Sequence, residues 1–304
     1  TVVRPSIFTD MGLEYFGPID GHNFTELFNA LSSAKEHDGP VLVHVITTKG
    51  KGFTLSENDR NGRWHGVNQF DPDTGNNLGE LPLNHLSWSE IYSETLIRLA
   101  KKDSKIMVLT PAMCQGSKLE KFFALYPNRS LDCGIAEEHA ATLASSMALN
   151  GLKPFLSIYS TFLQRSYDQI NHDIARKESP VVIGIDRSGL VGEDGPTHHG
   201  VFDVGILRPL PNMIIAQAKD ASEAQDLLYT AFELHRPYAI RYPRGSAVFY
   251  ENDSLNLIET GTWTVLGNLD VVDLVVIAYG PDVDKIKIKA ESNGINIAVI
   301  NARF

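Results

Sequence analysis

Apolar and polar positions alternate with two different periods along most of the chain. Short runs of aliphatic and β-branched residues, such as those at 41–46 and 106–110, have the length of buried strands. Between these runs, apolar positions recur at the spacing of amphipathic helices. An alternation of strands and helices is typical of parallel sheets covered by helices, so the pattern predicts an α/β fold.

Capping residues indicate where several helices begin. Asn23 is suited to cap a helix that reaches about His37. Ser87 and Glu90 have the spacing of a capping box, which predicts a helix ending near Lys102. The other predicted strands are 154–158, 181–185, 213–216 and 238–242, and the other predicted helices are 136–150, 163–177 and 221–235.

Irregular segments divide the pattern into domains. Residues 47–85 are rich in Gly, Asn, Asp and Pro and are too long for an ordinary connection. The predicted organisation is the end of a first domain at 1–50, a linker or active-site loop at 51–86, a complete domain at 87–245, a second linker at 246–270 and the start of a last domain at 271–304. Because the chain lacks an initiator Met and ends in an apolar run with nothing after it to cover it, we expect a fragment.

Charge limits the kinds of partner. The composition of the 304 residues, 43% hydrophobic and 21% charged, is that of an ordinary globular protein. A net charge of −10 and a pI near 5.5 argue against nucleic acid or an anionic membrane, since either needs a basic surface. An anionic ligand must therefore be held by a few local Arg residues.

Cysteine usage and hydropathy predict a reduced, cytoplasmic protein. Cys114 and Cys133 are too few for a disulfide framework or a cysteine zinc site, so we expect both to be reduced and structural. The most apolar run, 271–279, contains Asp273 and is shorter than the roughly 20 residues that span a bilayer. No secretory hydrophobic region follows Thr1.

Candidate functional residues follow the predicted strands, where ligands bind in open α/β sheets. Glu137 and Glu138 begin a predicted helix, and the helix dipole alone is an ordinary explanation for Glu138. Glu137 is the stronger candidate for chemistry. Tyr159, Phe162 and Arg165 offer ring faces and donors after the next strand, although aromatic residues at this spacing more often belong to a core.

A glycine-containing loop and the end of the last strand add further candidates. The loop holds Arg187, Asp194, His198 and His199. Two adjacent histidines near acids are one pattern for a metal site, but neighbours on an extended loop point to opposite sides. Arg187 and Arg244 are better suited to a phosphate, because a guanidinium can bind its oxygens bidentately. Surface salt bridges are the simpler alternative for both.

Seven motifs occur in one order along the chain: GPIDGH, KGKGF, LTPAM, IAEEHA, YSTFLQRSYDQINHD, IDRSGLVGEDGPTHHGVFD and AIRYPRG. In this order and spacing, they resemble the transketolase-like thiamine-diphosphate enzymes, and most closely the family of 1-deoxy-D-xylulose 5-phosphate synthases. GEDGPTH alone also fits a transketolase or a 2-oxoacid dehydrogenase β subunit. YSTFLQRSYDQ and the Phe202-Asp203 ending favour the synthases, and the resemblance covers essentially the whole chain.

The resemblance implies a site for thiamine diphosphate in a pyrimidine-type domain at 87–245. Glu137 would hydrogen-bond the aminopyrimidine ring and favour its imino form, which removes a proton from C2. Phe162 would stack on that ring, and Phe53, where relatives commonly have Tyr, would line the cofactor. The family's Mg²⁺ ligands are expected before Thr1, in the diphosphate-type first domain. Asp194 lies in the substrate loop, so no metal ligand is assigned.

The implied reaction condenses pyruvate with D-glyceraldehyde 3-phosphate, with loss of carbon dioxide, to a precursor for isoprenoids and thiamine. The residues implied are Tyr159, Arg187 and Arg244 for the phosphate, Asp194 and His198 for the carbon chain, and His65 and Arg165 for the carboxylate and for proton transfers. His199 replaces a Gln common in relatives, and its role is open. The family likeness also implies a homodimer.

Two other functions fit the same motifs. One is a transketolase, including a naturally split carboxyl-terminal subunit. The other is a non-catalytic dimerisation or interaction module that retains ancestral motifs. Under the synthase hypothesis, we expect the chain alone to be inactive and not to bind thiamine diphosphate tightly, because the diphosphate would have no anchor.

Overall fold

The computed structural model describes residues 7–59, 62–67, 69–79 and 81–304. Contacts within the chain divide it into two compact units, Thr1–Glu80 and Leu81–Phe304. The second unit contains a six-stranded sheet in which all neighbouring strands are parallel. The predicted α/β fold class is therefore confirmed.

The first unit contains a two-stranded parallel sheet and a helix that connects the strands. Its elements are α1 (Ile7–Asp10), β1 (Glu14–Asp20), α2 (Phe24–Glu36), β2 (Val41–Ile46) and α3 (Thr54–Glu57). Asn23 caps α2 as predicted, because its side chain accepts hydrogen bonds from the backbone N–H groups of Thr25 and Glu26.

The second unit is built on a central sheet with strand order β5-β4-β6-β7-β9-β8. The strands of this unit are β3 (His85–Ser87), β4 (Ile106–Thr110), β5 (Ser130–Asp132), β6 (Lys153–Tyr159), β7 (Val182–Asp186), β8 (Ile214–Ala216), β9 (Tyr238–Arg241), β10 (Ser246–Val248), β11 (Thr264–Leu266), β12 (Leu274–Ala278) and β13 (Ile297–Asn301). The α-helices are α4 (Trp88–Lys102), α5 (Glu120–Leu125), α6 (Glu137–Leu149), α7 (Ser160–Leu163), α8 (Tyr167–Gln169), α9 (Asp203–Leu207), α10 (Ala221–Glu233) and α11 (Asp282–Ser292).

Helices cover both faces of the central sheet. Val182 belongs to the core that includes residues of α4 and α10, whereas Ile183 belongs to the core that includes residues of α6. Successive strand residues point to opposite faces, so one apolar strand supplies both cores. This explains the continuous apolar runs that predicted the buried strands of the central sheet. The run at 41–46 forms the predicted strand β2, but the prediction that it is buried was wrong, since its residues are half-buried or exposed.

The capping box at the start of α4 is confirmed. The Ser87 hydroxyl accepts the backbone N–H of Glu90 at 3.2 Å, and the Glu90 carboxylate accepts the backbone N–H of Ser87 at 2.8 Å. Two amide groups that a helix start leaves unpaired are thereby satisfied. The start of α4 could be predicted from the four residues 87–90 because the capping interaction involves only neighbouring residues.

The single helix predicted at 163–177 was wrong. The segment begins at Ser160 and consists of α7, a 3₁₀ turn at Gln164–Ser166, α8 and a π-helical segment at Ile170–Ala175. Its last part is held against α6, since Thr142 donates to the Asp173 carboxylate and Ser145 donates to the Asp173 carbonyl, both at 2.7 Å. These contacts are long-range and leave no periodic pattern.

The segment 246–270, predicted as a second linker, contains two strands. β10 pairs antiparallel with β3, which was not predicted, and β11 pairs antiparallel with β13. The final apolar run is likewise not an uncovered strand: β13 lies between β11 and β12, and its residues Ile297 to Val299 are buried. Each three-residue strand depends on a distant partner, which a local pattern does not reveal.

Candidate active site

The carboxyl ends of β6, β7 and β9 lie side by side and bring the loops after them to one edge of the sheet. In the register of these parallel strands, Tyr159 is paired with Asp186, and Ile185 is paired with Arg241. The segments that follow carry most of the predicted site residues. Their convergence follows from the parallel topology.

Glu137 is a buried carboxylate at the first position of α6, where the helix dipole favours negative charge. Arg165 donates to it from Nη1 at 3.0 Å. The Glu137 side chain is 3% exposed, whereas the Arg165 side chain is 48% exposed. The structure thus joins two predicted site residues in an ion pair that the sequence did not predict. Glu137 is the buried partner, and Arg165 is the half-exposed one.

The Phe162 ring contacts three other predicted site residues. The Arg165 guanidinium is 5.2 Å from the centre of its ring, and the Tyr159 ring is stacked with it at 6.0 Å. His198 approaches the same ring edge-on at 5.5 Å. Because Arg165 contacts both Phe162 and Glu137, the aromatic face and the buried carboxylate belong to one cluster.

Arg187 is held by charged and aromatic neighbours. Its guanidinium donates to Asp186 at 2.9 Å and to the Ser89 hydroxyl at 3.0 Å, and it lies 4.6 Å from the centre of the Tyr159 ring. Its Nε lies 3.4 Å from Asp194. Asp186 is fully buried, so its ion pair with Arg187 is shielded from solvent.

The Tyr159 hydroxyl is available as a donor at neutral pH. Burial raises the pKa of Tyr159 to about 12, although nearby Arg187 acts in the opposite direction. Gly116 provides the space for this hydroxyl: a Cβ at residue 116 would lie 1.7 Å from the Tyr159 oxygen. Gly116 was not a predicted site residue, because nothing in its local sequence shows which side chain it faces.

Arg244 completes a group of two arginines around one carboxylate. It donates to the Val191 carbonyl at 3.1 Å and to Glu193 at 2.9 Å, and it lies 3.4 Å from Asp194. Asp194 therefore contacts both Arg187 and Arg244. The predicted phosphate-binding residues do converge, but carboxylates of the loop already contact both arginines.

The two adjacent histidines have different surroundings. His198 packs against Phe162, while the His199 ring accepts the Val191 backbone N–H at 3.2 Å. His199 also lines a cavity of about 410 Å³ together with apolar residues that include Phe202 and Ile206. Over the described parts of the chain, no three His, Cys, Asp or Glu side chains form a group that could hold a metal ion.

Phe53 and His65, the remaining predicted site residues, belong to the first unit. Phe53 contacts Trp64 edge-on at 4.9 Å and Phe70 at 5.8 Å, so it forms part of an aromatic cluster. Lys49 Nζ lies 2.9 Å from Nδ1 of His65 and is necessarily the donor, since an ammonium group cannot accept. Their roles toward a cofactor or substrate stay predictions.

Sequence comparison assigns the second unit to a family. Residues 84–248 match the model of the transketolase pyrimidine-binding domain. The chain belongs to this family. Residues 1–47 of this transketolase-family chain also match the model described as 1-deoxy-D-xylulose-5-phosphate synthase.

Individual relatives give the same result as the motifs. The transketolase-family chain is 47% identical over 309 residues to the 1-deoxy-D-xylulose-5-phosphate synthase of Listeria welshimeri, an alignment that covers 100% of this chain and 48% of that protein. The corresponding protein of Macrococcus caseolyticus is 48% identical over 308 residues, with 100% of this chain and 49% of that protein covered. The chain thus spans about half the length of the curated relatives it matches. The predicted resemblance is confirmed.

Solved structures share the fold of the transketolase-family chain. A split-gene transketolase, described as an inactive β4 tetramer, has a TM-score of 0.62 and 27% identity over 72% of each chain. The transketolase of Campylobacter jejuni has a TM-score of 0.64 and covers 99% of this chain and 58% of its own, at 17% identity. The second likeness shows the fold alone. In the described residues of the transketolase-family chain, helices are too short or too polar to cross a bilayer.

Both cysteines of the transketolase-family chain are free, as predicted. Burial, with smaller effects of Glu120 and Asp132, raises the pKa of the Cys114 thiol to about 12. At pH 8 only about one thiol in ten thousand would then be ionised, and the thiolate is the reactive form. We expect iodoacetamide to alkylate Cys114 at least a hundredfold more slowly than it alkylates the urea-denatured chain, as followed by peptide mass spectrometry. Equal rates would contradict the burial of this thiol.

Proposed function

We propose that this chain carries the pyrimidine-binding and acceptor-binding residues of a thiamine-diphosphate enzyme that condenses pyruvate with D-glyceraldehyde 3-phosphate. The product would be 1-deoxy-D-xylulose 5-phosphate, formed with release of carbon dioxide. The observation that supports this best is one contiguous cluster of side chains. In it, Arg165 contacts both the buried Glu137 and the Phe162 ring. Phe162 in turn is stacked with Tyr159, against which Arg187 packs. Similarity to proteins named as this synthase extends over the whole chain.

The donor set of this cluster fits an aminopyrimidine ring. Such a ring needs a carboxylate at one ring nitrogen and a flat apolar surface against its face, and Glu137 and Phe162 have these properties. Among the described residues, Arg165 is the only cation within ion-pair distance of Glu137. Because the Arg165 side chain is about half exposed, its guanidinium can be hydrated when it leaves, and the pyrimidine ring would then take its place as the partner of the buried Glu137 carboxylate.

Thiamine diphosphate would supply the carbon nucleophile for the reaction, and the residues of this chain would bind, orient and exchange protons. Glu137 would hold the proton shared with the pyrimidine ring in a position shielded from water. Arg165, once released, would be near enough to the same site to bind the carboxylate of pyruvate. Phe53 would line the cofactor, and His65 would act in proton transfer.

The acceptor would be held at the neighbouring arginine cluster. A phosphate dianion can accept bidentate hydrogen bonds from Arg187 and Arg244 and one from the neutral Tyr159 hydroxyl. Asp194 and His198 would meet the polar carbon chain of the aldehyde. The buried Asp186 restricts the rotamers of Arg187, so this donor is oriented before a ligand arrives.

Three further properties belong to the proposal. The family likeness supports magnesium as the second cofactor and a homodimeric state, and the cysteine usage and hydropathy of the chain support a cytoplasmic location. No residue of this chain is proposed as a magnesium ligand. The domain boundaries predicted from the sequence, with a complete pyrimidine-type domain at 87–245, are also part of the proposal.

Product identification on a chimera tests the proposed reaction. In the chimera, this chain replaces the matching segment of the Listeria welshimeri protein. The alignment includes 100% of this chain, so the whole chain can be transferred. With pyruvate, D-glyceraldehyde 3-phosphate, thiamine diphosphate and Mg²⁺, we expect 1-deoxy-D-xylulose 5-phosphate by mass spectrometry. The unmodified Listeria welshimeri protein is the positive control.

Other outcomes distinguish the alternatives. Turnover of ketose donors, but not of pyruvate, would support a transketolase, the alternative favoured by the 27% identity with the split-gene transketolase. No product from either donor, with a folded chimera by circular dichroism and size-exclusion chromatography, would support a non-catalytic module.

A further inference from the structure

Glu193, a residue without an assigned role, lies against the proposed phosphate site. Its carboxylate accepts a hydrogen bond from Nη2 of Arg244 at 2.9 Å, although its side chain is 78% exposed. It belongs to a short 3₁₀ turn, Gly192–Asp194, in the loop after β7. A negative charge therefore sits on a guanidinium that is proposed to bind a negatively charged ligand.

The two adjacent carboxylates of this turn differ in their contacts. Asp194 lies 3.4 Å from both Arg187 and Arg244, and its side chain is only 25% exposed. Glu193, in contrast, pairs with Arg244 alone. Asp194 thus has the position of a fixed spacer between the two arginines, whereas Glu193 can move into solvent without breaking any other ion pair in the described structure.

Displacement of Glu193 is also favoured by the chemistry of Arg244. A guanidinium presents parallel N–H groups that match two oxygens of one phosphate, and one of these groups, Nη2, is occupied by Glu193. Nη1 is directed to the Val191 carbonyl and to Asp194. Because either bidentate edge of a guanidinium uses Nη2, a phosphate that binds Arg244 bidentately competes with the Glu193 carboxylate for this nitrogen.

We propose that Glu193 is an internal anion that competes with the phosphate group of the acceptor for Arg244. This competition would lower the affinity of the chain for the acceptor. This inference rests on the proposed phosphate site. An exposed ion pair is weak, so the competition is modest and easily reversed by a dianion. Removal of the charge should also relieve repulsion between Glu193 and the bound phosphate.

Calorimetric titration of the chain with sn-glycerol 3-phosphate, a non-reactive probe with the same phosphate group, tests the inference. We expect Glu193→Gln to bind the probe about two- to fivefold more tightly than the unmodified chain, because exposed ion pairs contribute at most about 1 kcal/mol. A gain in affinity cannot result from loss of the fold. Higher ionic strength should reduce the difference.

Glu251→Gln is the matched control. Glu251 is also an exposed glutamate paired with an arginine of the second unit, Arg98, at 3.5 Å. It has no contact with the proposed phosphate site, and its replacement changes the net charge of the chain by the same amount. We expect this variant to bind the probe as the unmodified chain does; an equal gain in both variants would reduce the effect to net charge and overturn the inference.

Arg244→Gln separates failure of the inference from failure of the proposed function. If Arg244→Gln weakens binding and Glu193→Gln leaves it unchanged, the phosphate site stands and the role of Glu193 is wrong. Equal binding of the probe by Arg244→Gln and the unmodified chain would contradict both the phosphate site and the inference. The same conclusion would follow if neither the unmodified chain nor Glu193→Gln bound the probe.

Discussion

Replacement of Glu137 by alanine is expected to lower turnover by the chimera at least a hundredfold, the usual scale for an essential acid-base group. The carboxylate is buried and positioned by the start of α6, and Arg165 is its ion-pair partner. No other acid lies within ion-pair distance of Arg165 in the described residues. The rate of product formation at saturating pyruvate and D-glyceraldehyde 3-phosphate measures the effect.

Glu138→Ala is the control for this variant. Glu138 is exposed, and it lies in the same first turn of α6, so its removal changes the helix-dipole interaction and the net charge in the same way. We expect a change of less than about threefold in turnover, since a first-turn acid at the surface contributes only fractions of a kcal/mol. Nearly unchanged turnover in Glu137→Ala would eliminate the catalytic role of this carboxylate.

Replacement of Asp203 by alanine is expected to destabilise the second unit by about 3–5 kcal/mol, the usual cost of breaking a buried ion pair from one side. Arg241 donates to the two Asp203 oxygens from Nε at 3.0 Å and Nη2 at 3.2 Å, and Ser188 donates to the same carboxylate at 3.1 Å. Asp203 and Arg241 are both buried. Without the carboxylate, the charged guanidinium would keep, among the described residues, its hydrogen bond to Gln217 and its contact with the Tyr279 ring.

Urea titration followed by circular dichroism measures this loss, and Glu251→Ala serves as the control at an exposed pair. We expect the unfolding midpoint of the second unit to fall by about 1 to 2 M for Asp203→Ala. The control should lose no more than about 1 kcal/mol, because exposed pairs contribute little. Equal shifts in the two variants would mean that Gln217 alone satisfies Arg241.

The Asp203 pair also affects the proposed site. Asp203 begins α9 at the far end of the loop that carries Arg187 and Asp194, and Arg241 is the last residue of β9. Ser188 joins the beginning of that loop to the same carboxylate. Both ends of the loop are therefore attached to the edge of the sheet, which limits the positions that its charged side chains can adopt.

The sequence alone was sufficient for the fold class, most of the longer elements and the family. Apolar runs predicted β4 and β6 because a strand buried on both faces needs no polar positions. The apolar run at 41–46 also forms a strand, β2, but its residues are half-buried or exposed. The start of α4 was predicted because the Ser87 capping box involves only neighbouring residues. The order and spacing of the seven motifs predicted the family resemblance.

Only the tertiary structure decided how the candidate residues meet. The Glu137–Arg165 pair, the space that Gly116 leaves for Tyr159 and the contact of Asp194 with two arginines all join residues from different loops. The broken helix after β6 and the short strands β3 and β10 depend on distant partners in the same way. Local periodicity reports which face of an element is buried, but it does not report which charged side chain another loop places opposite. That pairing is set by the parallel sheet, which brings its loops to one edge.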